Sequence, residues 1–175
     1  MQKNKNKFSI VIPTYNEEKN IVLLINKINK HLKNYFYEIV IVDDNSLDDT
    51  KHILKKIKLN KKNFSFYIRK KDERDLSQSL ILGIKKTKFN NVIIMDGDLQ
   101  HNPKYLPKVI KLFQKENLDL LACVRNFNKR TGLSVFRYFS SLFLIIFINF
   151  FLGKKLSDPM SGFFIFKKKI YYLNK

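Results

Sequence analysis

Asn91-Val-Ile-Ile-Met-Asp-Gly-Asp-Leu-Gln-His-Asn-Pro103 is an apolar run that gives out abruptly into acid. Residues 91–95 read as a buried strand. In extended geometry positions i and i+2 point to the same side, so Asp96 and Asp98 leave the strand end together. Two hard carboxylate oxygens, with the Gln100 amide oxygen a further two residues on, suit Mg²⁺ or Mn²⁺ that keeps open positions for phosphate oxygens. Gly97 lets the backbone approach a ligand closely. The same triplet also reads as an ordinary Asp-Gly turn, and the residues alone leave both readings open.

Working outward, further β-rich runs occupy residues 8–12, 38–42, 64–68 and 119–124, with helical patterns between them. Ile21, Leu24, Ile25 and Ile28 recur at helical spacing, as do Leu106, Val109, Ile110 and Phe113. The alternation predicts an α/β fold, a mainly parallel sheet flanked by helices. Thr14 with Glu17, and Ser46 with Asp49, have the spacing of capping boxes, while Asn102 before Pro103 reads as a cap with proline at the first helical position. Ligands of open parallel sheets gather beyond the carboxyl ends of strands. The polar clusters 13–17, 43–46 and 96–100 fall at three such ends. Asp43-Asp44-Asn45-Ser46 reads either as an Asx turn or as a carboxylate meeting a nucleoside. Tyr15 is either a partly packed ring or a stacking surface for a base, with Glu17 taking donors.

Composition narrows the partners. There are 34 Lys and Arg against 15 Asp and Glu, a formal charge of +19, yet only five of the cations are Arg. An apolar fraction of 45% is too rich for a disordered basic tail, and the length fits one domain spanning residues 1–175. No zinc-finger, RNA-recognition or basic-zipper pattern occurs, so nucleic acid is not an expected partner. Cys123 is the single cysteine, which rules out a disulfide framework within the chain and fits a reducing, cytoplasmic setting. Met1 to Lys7 resembles the basic start of a secretory signal, but the apolar run behind it stops at Pro13. From 138 to 152, 12 of 15 residues are apolar, with Arg130 and Arg137 before and Lys154 and Lys155 after. That is short of a spanning helix and reads as a short interfacial or re-entrant helix on an anionic membrane surface, or as a buried helix.

Taken in order, Ser9-Ile-Val-Ile-Pro-Thr-Tyr-Asn-Glu-Glu18, Ile41-Val-Asp-Asp-Asn-Ser46, Met95-Asp-Gly-Asp-Leu-Gln-His-Asn-Pro103 and Asp158-Pro-Met-Ser-Gly-Phe163 resemble glycosyltransferase family 2. Within it they are similar to the polyprenol- or dolichol-phosphate mannosyltransferases. The resemblance covers essentially the whole chain. It implies a GT-A, Rossmann-like fold and an inverting, metal-dependent enzyme that moves mannose from GDP-mannose onto a polyprenyl phosphate. Residues 1–126 would form the nucleotide-sugar-binding part and 127–175 an acceptor and membrane-interface part. Carried over, Pro13, Tyr15, Glu17, Val42 and Asp44 would line the nucleoside pocket. Asp96, Asp98 and Gln100 would hold the metal, with Gly97 beside it. Arg125 and Arg137 would grip donor and acceptor phosphates; Arg74 and Arg130 are weaker candidates. Asp158 stands where relatives that use a hydroxyl acceptor place a basic carboxylate, and a structural role is the expectation here. The enzyme is expected to be peripheral at the cytoplasmic face of the membrane. Thr131-Gly132 replaces the Gly-Gly usual between the two arginines. Relatives also continue past Lys175, so the C-terminal part is expected to be truncated. A sugar-hydroxyl acceptor in surface-glycan synthesis, or a non-catalytic nucleotide-sugar-binding fragment, are the competing readings.

Overall fold

The computed structural model describes residues 7–60, 62–70, 73–123 and 162–173. Their elements alternate as the sequence pattern requires: β1 (Lys7–Thr14), α1 (Ile21–His31), β2 (Phe36–Asp43), α2 (Thr50–Asn60), β3 (Phe64–Ile68), α3 (Leu76–Lys86), β4 (Asn91–Ile94), a 3-10 turn (Pro103–Tyr105) running into α4 (Leu106–Lys115), β5 (Leu120–Ala122), β6 (Phe164–Lys167) and α5 (Lys169–Leu173). The strands form one sheet in the order β3-β2-β1-β4-β6-β5. The first four are parallel. β6 lies antiparallel between β4 and β5, with Ile94 opposite Phe164 and Ala122 opposite Phe164 on its other side.

Period-two alternation assigns each strand residue to a layer. Phe8, Ile10 and Ile12 of β1, Ile39 and Ile41 of β2, Ile93 of β4 and Ile165 of β6 face a core completed by Ile21, Leu24, Ile25 and Ile28 of α1 and by Leu106, Ile110 and Phe113 of α4. Val11, Val40, Val92, Ile94 and Phe166 face the opposite layer with Ile84 of α3. α3 comes unusually close to the sheet. A Cβ on Gly83 would overlap Val11 Cγ1 and lie 3.2 Å from Val42 Cγ2.

Two of the expected caps are not caps. Thr14 closes β1, and its hydroxyl donates to Asp43 Oδ1 at 3.3 Å; α1 starts later, at Ile21, behind Asn20. Ser46 donates to Asp43 Oδ1 at 2.5 Å and accepts from the Asn16 N–H at 2.9 Å. In both places the side-chain oxygen finds a tertiary partner across the strand ends in place of the local helix donors. Asn102 does cap, accepting from the Lys104 N–H at 3.0 Å with Pro103 behind it. No described helix is long and apolar enough to cross a membrane. The apolar segment 138–152, Asp158 and the arginines at 125, 130 and 137 lie outside the described residues.

Candidate functional site

The loops leaving β1 and β2 are laced together at the carboxyl edge of the sheet. The Asp44 N–H donates to the Thr14 carbonyl at 2.8 Å, the Glu17 N–H to Thr50 Oγ1 at 2.9 Å, and the Leu47 N–H to Asn16 Oδ1 at 2.8 Å. Asn16 and Asn45 turn through left-handed backbone, φ 55° and 59°, which asparagine tolerates. These bonds fix the strand-end loops as one rim, so the side chains they carry are preorganised.

The Asp43-Asp44 pair splits between the two readings of its sequence. Asp43 is fully buried and is consumed by the turn, accepting from Thr14, from the Ser46 hydroxyl and, at 2.9 Å, from the Ser46 N–H. Asp44 instead lines a cleft of about 320 Å³ with Pro13, Thr14, Tyr15, Arg74 and Ser79. Its carboxylate is aimed by Arg69, whose guanidinium pairs with Oδ1, and by the Asp75 N–H, which donates to Oδ2 at 2.7 Å. Arg69 also donates to the Asp75 carbonyl at 2.9 Å, tying the start of α3 to the end of β3. Arg74 lies with its guanidinium carbon 4.5 Å from the centre of the Tyr15 ring, a cation–π geometry that leaves a planar, cationic wall over the cleft.

Beside this cleft, β4 delivers the Asp96-Gly97-Asp98 turn. The Asp98 carboxylate accepts from the Gln100 N–H at 3.0 Å, folding the turn back on itself. Leu99 takes φ 64° there, a conformation that costs a branched apolar residue of order 1 kcal/mol and that the surrounding structure must impose. Burial pushes the Glu17 carboxyl up, the Asn20 amide hydrogen bond opposes that rise, and the charges of Asp98, Asp48 and Asp96 add to it. The negative charges of Asp98, Asp48 and Asp96 thus converge on the Glu17 carboxyl. That field favours a cation.

Of the residues named from the sequence, Pro13, Tyr15 and Asp44 meet in the cleft, while Glu17 stands within electrostatic reach of Asp96 and Asp98. Val42 is fully buried, with its side chain against α3. Gln100 is exposed. No three His, Cys, Asp or Glu side chains among the described residues form an all-protein metal cage. Two carboxylates in a repulsive field fit instead an open site that takes its remaining oxygens from a diphosphate. Two contributors, Arg69 and Asp75, have no role in the sequence reading, and a third, Gly162, enters it only within the stretch Asp158-Pro-Met-Ser-Gly-Phe163. Arg69 was detectable as a lone arginine directly after a strand. Gly162 packs against Asp96, a contact that no local pattern encodes.

The model for the family described as Glycosyl transferase family 2 matches residues 9–173. The chain belongs to glycosyl transferase family 2. It is 35% identical over 168 residues to the dolichol-phosphate mannosyltransferase of Pyrococcus furiosus, covering 94% of this chain and 47% of that protein. The resemblance to the polyprenol-phosphate mannosyltransferases is thereby supported. Among solved structures, TarS 1–349 of S. aureus superposes with a TM-score of 0.67 at 24% identity, over 96% of this chain and 49% of that one. The mannosyltransferase PcManGT of Pyrobaculum calidifontis, in complex with GDP-Man and Mn²⁺, superposes with a TM-score of 0.58 at 21% identity, over 68% of this chain and 35% of that one. These neighbours support the GT-A expectation for the fold. The family 2 chain spans about half the length of the curated relatives it matches.

Proposed function

We propose that the chain is the donor-binding part of an inverting, metal-dependent glycosyltransferase that moves mannose from GDP-mannose onto a polyprenyl phosphate. The observation that carries the reading is the junction of two chemistries at one sheet edge. The Tyr15–Asp44–Arg74 cleft offers a ring face, a carboxylate and a guanidinium to a nucleoside, and the Asp96-Gly97-Asp98 turn offers paired carboxylates next to it. The P. furiosus relative supports the mannose and lipid-phosphate assignment.

Asp96 and Asp98, with Gln100, would hold Mg²⁺ or Mn²⁺, which when bound supplies positive charge to the nucleotide diphosphate. Tyr15 and Asp44 seat the base, and Arg69 keeps Asp44 aimed. Arg125 and Arg137 neutralise phosphate oxygens of donor and acceptor; the planar guanidinium fork suits such oxygens better than an ammonium. A phosphomonoester acceptor has a second pKa of about 6 and is already ionised near neutrality, so no protein group need take a proton from it. Its oxygen attacks C1 of the sugar, the new C1–O bond forming as the bond to the nucleotide diphosphate breaks, with inversion. Catalysis then consists of positioning and electrostatics. The lysines and arginines around 138–152 place the chain on the anionic cytoplasmic membrane surface.

Purified protein incubated with membranes, labelled GDP-mannose and Mg²⁺ should yield labelled lipid, and Asp98→Ala should abolish it. Unchanged product from the variant would overturn the metal assignment. GDP-mannose binding without any transfer would select the non-catalytic fragment, and transfer to sugar hydroxyls but not to polyprenyl phosphate would select the glycan-building alternative.

A further inference from the structure

Gly162 lies two residues before β6, and extending the antiparallel register that sets Ile94 opposite Phe164 by two residues brings it to the place facing Asp96. The next residue is firmly held. Phe163 is 3% exposed, its carbonyl accepts from the Cys123 N–H at 2.9 Å, and its ring centre lies 5.5 Å from that of His101. A Cβ built on Gly162 would fall within 2.5 Å of Asp96 Oδ1 and closer still to Cγ and Oδ2. The φ of Gly162 lies outside the left-handed region. Space, not backbone conformation, is therefore what requires glycine there. On the other side of the turn, a Cβ on Gly97 would come within 3.3 Å of Glu17 Cγ. Asp96 has two side-chain torsions and cannot swing a distant tip aside as a lysine would.

From this we infer that Gly162 is a positioning residue: its missing side chain sets where the Asp96 carboxylate stands relative to Asp98, and hence how tightly the site holds a divalent cation with a nucleoside diphosphate. The inference rests on the metal role proposed above for Asp96.

The test is a Mn²⁺ titration, read from the electron paramagnetic resonance signal of free Mn²⁺ with GDP present, on the full chain. Gly162→Ala should weaken Mn²⁺ at least tenfold while metal-free GDP affinity stays within twofold. In an Asp96→Ala background the added Gly162→Ala should change neither Mn²⁺ affinity nor melting temperature, because no carboxylate is left to displace. Wild-type affinity in Gly162→Ala overturns the inference, as does an equal further loss in the Asp96→Ala background. If Gly162→Ala fails to fold, the double variant should fold; a double variant that also fails overturns it too. A wild-type chain that binds GDP but no Mn²⁺ overturns the metal reading itself, and this inference with it.

Discussion

Replacing Arg69 by alanine should expose how much of the Tyr15–Asp44–Arg74 cleft depends on one buried ion pair. Arg69 and Asp44 are each 8% exposed at the side chain, and Arg69 also bonds the Asp75 carbonyl. Removing one partner of such a pair strands the other charge, which costs about 3–5 kcal/mol, whereas a solvent-exposed pair is worth about 0–1 kcal/mol. Against a domain stability of roughly 5–15 kcal/mol this is a large fraction. With a urea m-value of about 2 kcal/mol/M, Arg69→Ala should lower the denaturation midpoint by about 2 M at pH 7. Arg69→Met with Asp44→Asn should recover at least half of that, since no uncompensated charge remains. Circular dichroism in urea reads both. A loss under about 1 kcal/mol for Arg69→Ala, or no recovery in the double variant, would refute the claim that the pair is desolvated and that Asp44 is held by it.

Three other outcomes follow from the same geometry. Tyr15→Ala should weaken GDP by roughly 5- to 150-fold in calorimetry, the equivalent of the about 1–3 kcal/mol that base stacking contributes, if Tyr15 seats the base. Gly83→Ala should lower the melting temperature despite the better helix propensity of alanine: the gain of about 1 kcal/mol is outweighed by forcing Val11 and Val42 aside, typically about 1–3 kcal/mol, and trimming Val11 to Ala should relieve it. Burial pushes the Cys123 thiol up to about 11. Alkylation at pH 8 should therefore run a few hundredfold slower than for an ordinary thiol, because the thiolate fraction is that much smaller. The folded thiol keeps its proton where the unfolded one loses it, so this group's contribution to stability should decline as pH rises above about 8.5.

The parts of the fold that the sequence discloses are those written in local periodicity. The helical spacing of Ile21 to Ile28 and of Leu106 to Phe113 matches α1 and α4, and the three polar clusters do sit at strand ends. α3 escapes the pattern because its sheet-facing positions include Ser79 and Gly83, small residues chosen for close approach and invisible to a hydrophobic count. β6 escapes for another reason: four residues pair antiparallel with strands far back in the chain, and no local signal specifies such a partner. At the site, Tyr15, Asp44 and the acidic turn are legible because their chemistry is carried by their own side chains. Arg69 and Gly162 act through a neighbour, and only the packed structure says which neighbour.

The place of β6 also bears on how this chain comes to be folded. β1 to β4 pair among themselves in parallel, whereas β5 pairs, among the described strands, with β6. During synthesis from the amino terminus, the four-stranded half can assemble while β5 still lacks that neighbour and the β4 edge lies open. Both unpaired edges are the kind that other chains can extend. The acidic turn after β4 would emerge from the ribosome early, yet its companion at Gly162 arrives some 66 residues after Asp96. On the metal reading proposed above, the acidic turn would then stay incomplete until synthesis has passed Gly162.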